Sequence, residues 1–306
     1  MTGGLLGRAG RRVIGDPRLW TIALAGFLAG GGIVILALPI VVLPSVVGVS
    51  TFIGPNAVTA AGPSPRFVGL VGATVTIVGA WILVGTVISV AAERALVRAV
   101  VPRPHDGRRD PGLAALSAIR LISLVPFGLA VALGATRLGQ VGYEELILPS
   151  DSNAPFVIRV LLSAPEVVAL LVIGWLISEL LGSVSIRRAL ADDRGTIGSV
   201  TGALGWTARH PVRALEVLGA TVLAGALLIA PASVAAVVAW SAARSALLGD
   251  ASPPVTALAV ALFVAVWGGA LALAGLVAAW RSAAWSLAVM GDHRVGGLVP
   301  GSGGTL

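Results

Sequence analysis

Two charged side chains interrupt one of the most apolar stretches of this chain. They are Arg159 and Glu166 in PFVIRVLLSAPEVVALLVIGW, residues 155–175. An ionisable group at the centre of a membrane-crossing helix costs about 2.5–3.5 kcal/mol on insertion scales, so it needs a counter-charge or water. On one continuous helix, positions 159 and 166 share a face two turns apart. Pro165 between them lacks an N–H and frees a backbone carbonyl. Arg159 and Glu166 therefore form the candidate intramembrane charged site, one suited to answering protons or cations. The competing reading is an ion pair that fixes helix packing.

A second set lies in RRALADDRGTIGSVTGALGWTARHPVRALEVLGATVLAGALLIAP, from Arg187 to Pro231. Here a basic helix end, a polar turn and a short amphipathic helix with Ile197, Val200 and Leu204 lead into another apolar run. Trp206, Arg209, Arg213 and Glu216 surround that second start. Tryptophan and arginine favour the membrane–water boundary, so these four are expected to form an interfacial hinge rather than a reactive centre.

No other constellation selects itself. There are no cysteines, which excludes disulfides, thiolate metal sites and cysteine nucleophiles. His105, His210 and His293 stand far apart in polar segments. The chain carries no HExxH, no GxSxG elbow, no Walker A loop and no convincing dinucleotide fingerprint. The expectation is no catalytic residue, no metal ligand and no cofactor.

The elements that position these residues follow from composition. Of 306 residues, 57% are hydrophobic and 11% charged, against about 25% charged in soluble domains. That leaves too little polar surface for a soluble globule, and several apolar runs exceed the roughly 20 residues that cross a bilayer as a helix. The net charge is +7 without a single lysine. In a soluble protein such a balance would suggest nucleic acid. Here arginines flank membrane spans, and the implied partner is a bilayer with anionic headgroups, with no nucleic acid. The lysine-free composition suggests a GC-rich bacterial source.

Six spans are expected, near residues 20–42, 67–91, 121–136, 156–181, 214–240 and 255–280. The third is the least hydrophobic and contains Pro126; its alternative start is near Leu113, with Arg120 reaching for the surface. Gly26 and Gly30 in the first form a GxxxG pair suited to close packing within the chain. The segment PSVVGVSTFIGPNAVTAAGPSPR reads as an outer loop at the interface, and 138–155 as an acidic outer loop. Trp20, Trp240, Trp280 and Trp285 are expected as interfacial anchors, with Trp81 and Trp175 as packing residues. The last span is expected to continue as an interfacial helix through Trp285, followed by a disordered tail, 297–306.

Of the 21 basic residues, all but Arg66, Arg137, Arg159 and Arg244 fall on one side of this plan. The arginine bias sets both termini in the cytoplasm and the protein in the cell (inner) membrane. The chain also looks threefold repetitive. Odd spans begin at Arg18, Arg120 and Arg213, and even spans end at Arg94, Arg188 and Arg281, a period of about 94 residues. SVAAERAL at 89–96 resembles SVSIRRAL at 183–190. The expected fold class is all-α: a single polytopic transmembrane domain, 1–296, of six helices in three parallel-repeat hairpins at about 13–100, 112–194 and 205–290.

The basic RAL exit, the polar turn, the WxxRHPxR segment and the glycine/alanine/leucine span after it resemble a loose group of poorly characterised six-span bacterial and archaeal membrane proteins. That group includes the membrane domain attached to some glycerophosphodiester phosphodiesterases. In those fusions the chemistry sits in a separate soluble barrel, for which this sequence has no acidic metal-binding cluster. The resemblance implies a membrane module without phosphodiesterase activity. The reading is a non-enzymatic scaffold, accessory or lipid-interacting membrane module, with a membrane protein as a possible partner. The alternative is a small-solute or ion transporter or channel using the charged site in span four; the third is a membrane-embedded lipid enzyme.

Overall fold

The computed structural model describes residues 3–37, 58–59, 62–101, 111–148, 150, 156–192, 195–249 and 251–291. The first outer loop, the basic loop after the second span, the end of the acidic loop, His105, His293 and the tail fall wholly or largely outside these residues. Element order is α1 (Gly3–Ile14), α2 (Pro17–Phe27), a π-type turn (Leu28–Gly32), α3 (Ile33–Ala37), β1 (Val58–Thr59), β2 (Gly62–Pro63), α4 (Pro65–Val100), α5 (Leu113–Ser123), α6 (Val125–Ile147), α7 (Phe156–Leu162), α8 (Pro165–Asp192), α9 (Thr196–Arg209), α10 (Pro211–Leu248) and α11 (Pro253–Met290). Strands β1 and β2 pair antiparallel over two residues each.

Among the described residues, six helical segments are long and apolar enough to cross a membrane: Pro17–Ala37, Val68–Val100, Leu113–Glu145, Pro165–Asp192, Pro211–Leu248 and Pro253–Met290. The chain is thus an all-α multi-pass membrane protein. Large apolar side chains such as Val75, Ile77, Leu133, Leu223 and Leu258 point outward, as required where acyl chains are the solvent. The exposed hydroxyls of Thr74 and Thr76 donate to the carbonyls of Leu70 and Gly72 at 2.9 Å. Satisfying a hydroxyl within its own helix lets it face hydrocarbon without a partner.

The chain divides into two compact units. The first comprises Met1–Ile40, Gly85–Ile122 and Leu180–Leu306. Its core gathers Val90 and Val97 of α4, Leu116 and Ile119 of α5, Ile186, Ala189 and Leu190 of α8, and Met290 of α11. In this unit α11 packs along α10, α2 and α1. Close approach there needs small residues: a Cβ on Gly26 would lie 2.9 Å from that of Ala92, and one on Gly275 would lie 2.7 Å from the Trp20 carbonyl oxygen. The first span is not a straight rod. Gly31 in the π-type turn has φ +105°, a conformation that side chains with a Cβ rarely adopt. Past it, the Leu36 carbonyl, near the end of α3, accepts a hydrogen bond from Trp267 Nε1 at 2.9 Å. A helix break inside a membrane is tolerated where other protein groups take up the freed backbone.

The second unit comprises Val41–Val84 and Ser123–Glu179. In it α6 and α8 lie close: a Cβ on Gly174 would meet Ala130, and one on Gly134 would meet Val167. The Phe127 N–H donates to Ser178 Oγ at 3.0 Å, which gives the backbone around Pro126 a partner.

Several boundaries differ from the sequence reading. The third span starts at Leu113 and bends at Leu124, where Pro126 occupies the first turn of α6. That helix runs on to Ile147, so the acidic segment from Leu138 begins as helix and not as loop. The fourth span starts at Pro165 instead of Phe156, because α7 is a separate short helix. The last span is one helix to Met290, and Trp285 is fully buried inside protein rather than anchored at an interface. Trp81 and Trp175 are 47% and 41% exposed, so they lie at the surface of their helices and not in the core. Residues 3–14, which precede the first span, form a helix of their own. Leu5, Ala9 and Val13 are buried one turn apart while Arg8, Arg11 and Arg12 face out.

Candidate functional site

The most elaborate polar cluster lies where the ends of α4, α8 and α11 meet, around Arg187. Its side chain is completely buried. A guanidinium has five N–H donors in a rigid fork, and here each has an acceptor. Nε donates to Ser286 Oγ at 3.2 Å. Nη1 donates to Glu93 Oε1 at 2.8 Å and to the Ser183 carbonyl at 2.6 Å. Nη2 donates to the Ser282 carbonyl at 3.0 Å and to Ser282 Oγ at 3.2 Å. Ser286 Oγ in turn donates to the Ser282 carbonyl at 2.7 Å. Ser282 and Ser286 stand one turn apart on α11, as do Ser183 and Arg187 on α8, which aligns each pair along one helix face. Neighbouring Arg188, half-buried, pairs with Asp192 at 3.1 Å.

This geometry crosslinks three helices through one cation. Glu93 keeps 19% of its side chain exposed, so the pair retains partial hydration while the cation does not. The sequence reading took Arg187 as a basic helix exit and missed its burial. A signal was present: the SVAAER/SVSIRR likeness sets opposite charges, Glu93 and Arg187, at matching positions.

The second unit holds the two residues of the expected charged site, with other partners. Arg159 is buried on α7, its Nη1 3.6 Å from Glu145 Oε2. Glu145 also accepts from the Ser150 N–H at 3.1 Å, Ser150 Oγ at 3.0 Å and Ser163 Oγ at 3.0 Å. The carboxylate thus ties the end of α6 to Ser150 just beyond it and to α7 through Arg159 and Ser163. Glu166 instead pairs with Arg137 Nε at 3.1 Å, and both side chains are about half exposed.

The reason for the different partnering is the break at Ser163–Ala164. The Ser163 N–H closes α7 on the Arg159 carbonyl, and the Ala164 carbonyl opens α8 by accepting from Val167 and Val168. Pro165 therefore starts a helix instead of loosening one, a place where its missing N–H costs nothing. Glu166 falls in the first turn of α8, where the helix dipole favours an anion, and not eleven residues into a continuous span.

At the α9–α10 junction the expected hinge residues separate by face. Trp206 is buried and stacks on His210, ring centroids 5.4 Å apart. It therefore anchors α9 to protein and not to the interface. His210 joins the helices, its Nδ1 3.2 Å from the Trp206 carbonyl oxygen. Arg209 and Glu216 are exposed and Arg213 is half-buried. Among the described residues, no three His, Asp or Glu side chains gather to hold a metal ion. Scans of the chain against family models, curated proteins and solved structures return no match.

Proposed function

We propose that this chain is a non-enzymatic multi-pass module of the cell (inner) membrane, acting as a scaffold, an accessory subunit or a lipid-contacting subunit, with both termini cytoplasmic. The observation that carries this reading is the saturation of Arg187. All five of its donors are spent on Glu93, Ser183, Ser282 and Ser286, which leaves none to bind a solute. Arg159 with Glu145, and Arg137 with Glu166, likewise tie helix to helix. The orientation rests on the arginine bias, and the threefold repeat on the spacing and likeness of the span ends. The likeness to the membrane domain of glycerophosphodiester phosphodiesterases is in keeping with a module that carries no chemistry of its own.

A second reading, a small-solute or ion path, is favoured by one observation. Two of the six spans have helix breaks, at Leu28–Gly32 and at Leu124, and broken helices build the binding sites of many transporters. Purified protein in proteoliposomes distinguishes the two. The scaffold reading expects ion and proton permeability equal to that of protein-free vesicles, in wild type and Glu166→Gln alike. Flux that Glu166→Gln abolishes would reject it in favour of transport.

A further inference from the structure

We propose that α9 is a membrane-surface helix whose outward face lies in the acyl–headgroup boundary of an anionic leaflet. The first observation is an inversion of its amphipathicity. At 100° per residue, Ser199, Ala203 and Trp206 share one face, and that face is buried against protein. Ile197, Thr201, Leu204 and Ala208 share the opposite face, and all are exposed. Ile197 is 75% exposed and Leu204 53%. The inward face thus carries a serine and an alanine beside its tryptophan, while the larger aliphatic side chains point away from the protein. A helix bathed in water would have the opposite arrangement.

Continuity with the membrane-crossing surface says what covers that face. Only His210 separates α9 from α10, so α9 ends at the level where α10 enters the bilayer. The exposed apolar surface continues across the joint through Val212 and Leu215, 68% and 65% exposed. The one hydroxyl on the stripe behaves as the lipid-facing threonines of α4 do: Thr201 Oγ1 donates to the Ile197 carbonyl at 3.1 Å. Its polarity is satisfied and its methyl is free for hydrocarbon.

Charge selects the leaflet. Arg209 is exposed in the last turn of α9, about 120° round from the centre of the stripe, at the height of a phosphate if the stripe meets acyl chains. Arg213 follows one turn into α10, half-buried. A basic side chain beside an apolar face is the pattern of helices that lie in anionic surfaces.

The inference rests on the lipid-contacting reading above, and its test can fail separately. The natural chain lacks cysteine, so Leu204→Cys carries one fluorophore, and Ile197→Cys gives a second site should the first variant misfold. The full chain is reconstituted in phosphatidylcholine containing about one-third phosphatidylglycerol, with bromine on the acyl chains of one lipid or the other. The expected result is quenching by both, several-fold stronger per molecule from brominated phosphatidylglycerol. Arg209→Gln should cut that preference about fivefold, the factor equivalent to roughly 1 kcal/mol per arginine at an anionic surface. Absence of quenching by either lipid would overturn the proposal, because water or protein would then cover the face. Equal quenching by both would overturn the anionic selection. Fluorophore pairing that grows with protein density would assign the face to a second copy. Solute flux, by contrast, would defeat the scaffold reading and leave these ratios unchanged.

Discussion

Replacing Arg187 with alanine removes a fully buried cation, its five hydrogen bonds and the crosslink between α4, α8 and α11. Breaking a buried pair from one side costs about 3–5 kcal/mol, because the remaining partners are left desolvated and unmatched. Glu93 can turn to water through its exposed fifth. The Ser183 and Ser282 carbonyls remain in their helices. The expected loss for Arg187→Ala is therefore about 3 kcal/mol, the low end of that range. Arg187→Lys keeps the charge but offers three donors instead of five, and should lose about 2 kcal/mol at roughly 1 kcal/mol per missing bond. Glu93→Gln keeps an acceptor of similar shape but leaves the fully buried cation without its counter-charge, and should cost at least as much as Arg187→Ala. Arg137→Ala, which breaks an exposed pair with Glu166, provides the control, because a solvent-screened pair contributes little. Reversible unfolding in mixed micelles, followed by tryptophan fluorescence, gives the ranking. In the double variant Arg187→Ala with Glu93→Ala, a coupling energy of about 1–3 kcal/mol is expected. If Arg187→Ala costs no more than Arg137→Ala, or the cycle shows no coupling, the three-helix clamp does not exist as described.

Three further outcomes follow from the packing and the charge asymmetry. Gly26→Val should destabilise the fold by about 1–3 kcal/mol through overpacking against Ala92, while Gly79→Val, with open space around its Cβ, should be nearly neutral in the same unfolding assay. Trp267→Phe keeps an aromatic side chain but removes the donor to the Leu36 carbonyl and part of the ring's volume, at an expected cost of at least about 1 kcal/mol; amide hydrogen exchange should quicken in residues 33–37 more than in α10. Cysteine placed at Ala99 should react with a membrane-impermeant maleimide only in inverted vesicles, and cysteine placed at Leu248 only in right-side-out ones, with the reverse pattern overturning the assigned orientation.

The six-span plan was legible because it depends on local quantities: run length, hydropathy and the arginines at the ends of each run. The partners of charged residues were not legible, because they depend on where a helix stops. Arg159 and Glu166 share a face only if the helix is continuous, and the Ser163–Ala164 break removes that condition. Pro165 was the available clue, since proline is as suited to the first turn of a helix as it is disruptive in the middle. Trp285 and Trp206 misled for a related reason. Tryptophan near a span end is usually interfacial, but both sit on helix faces covered by protein. Arg187 was hidden by distance, with Glu93 on α4 and Ser282 and Ser286 on α11. The amphipathic α1 has its period in the sequence, as Leu5, Ala9 and Val13 recur one turn apart, but its glycines inside the helix lower its helix propensity and mask that period.

The Arg187 clamp also constrains how the chain is made. When α8 leaves the ribosome, Arg187 has Ser183 in its own helix and Glu93 already synthesised, but Ser282 and Ser286, which supply three of its five acceptors, do not yet exist. Until α11 arrives, the guanidinium must keep to water or headgroups, because hydrocarbon would not tolerate it with donors unmet. The first unit therefore closes late, and nascent chains halted before α11 should expose a cation and an open seam to membrane proteases.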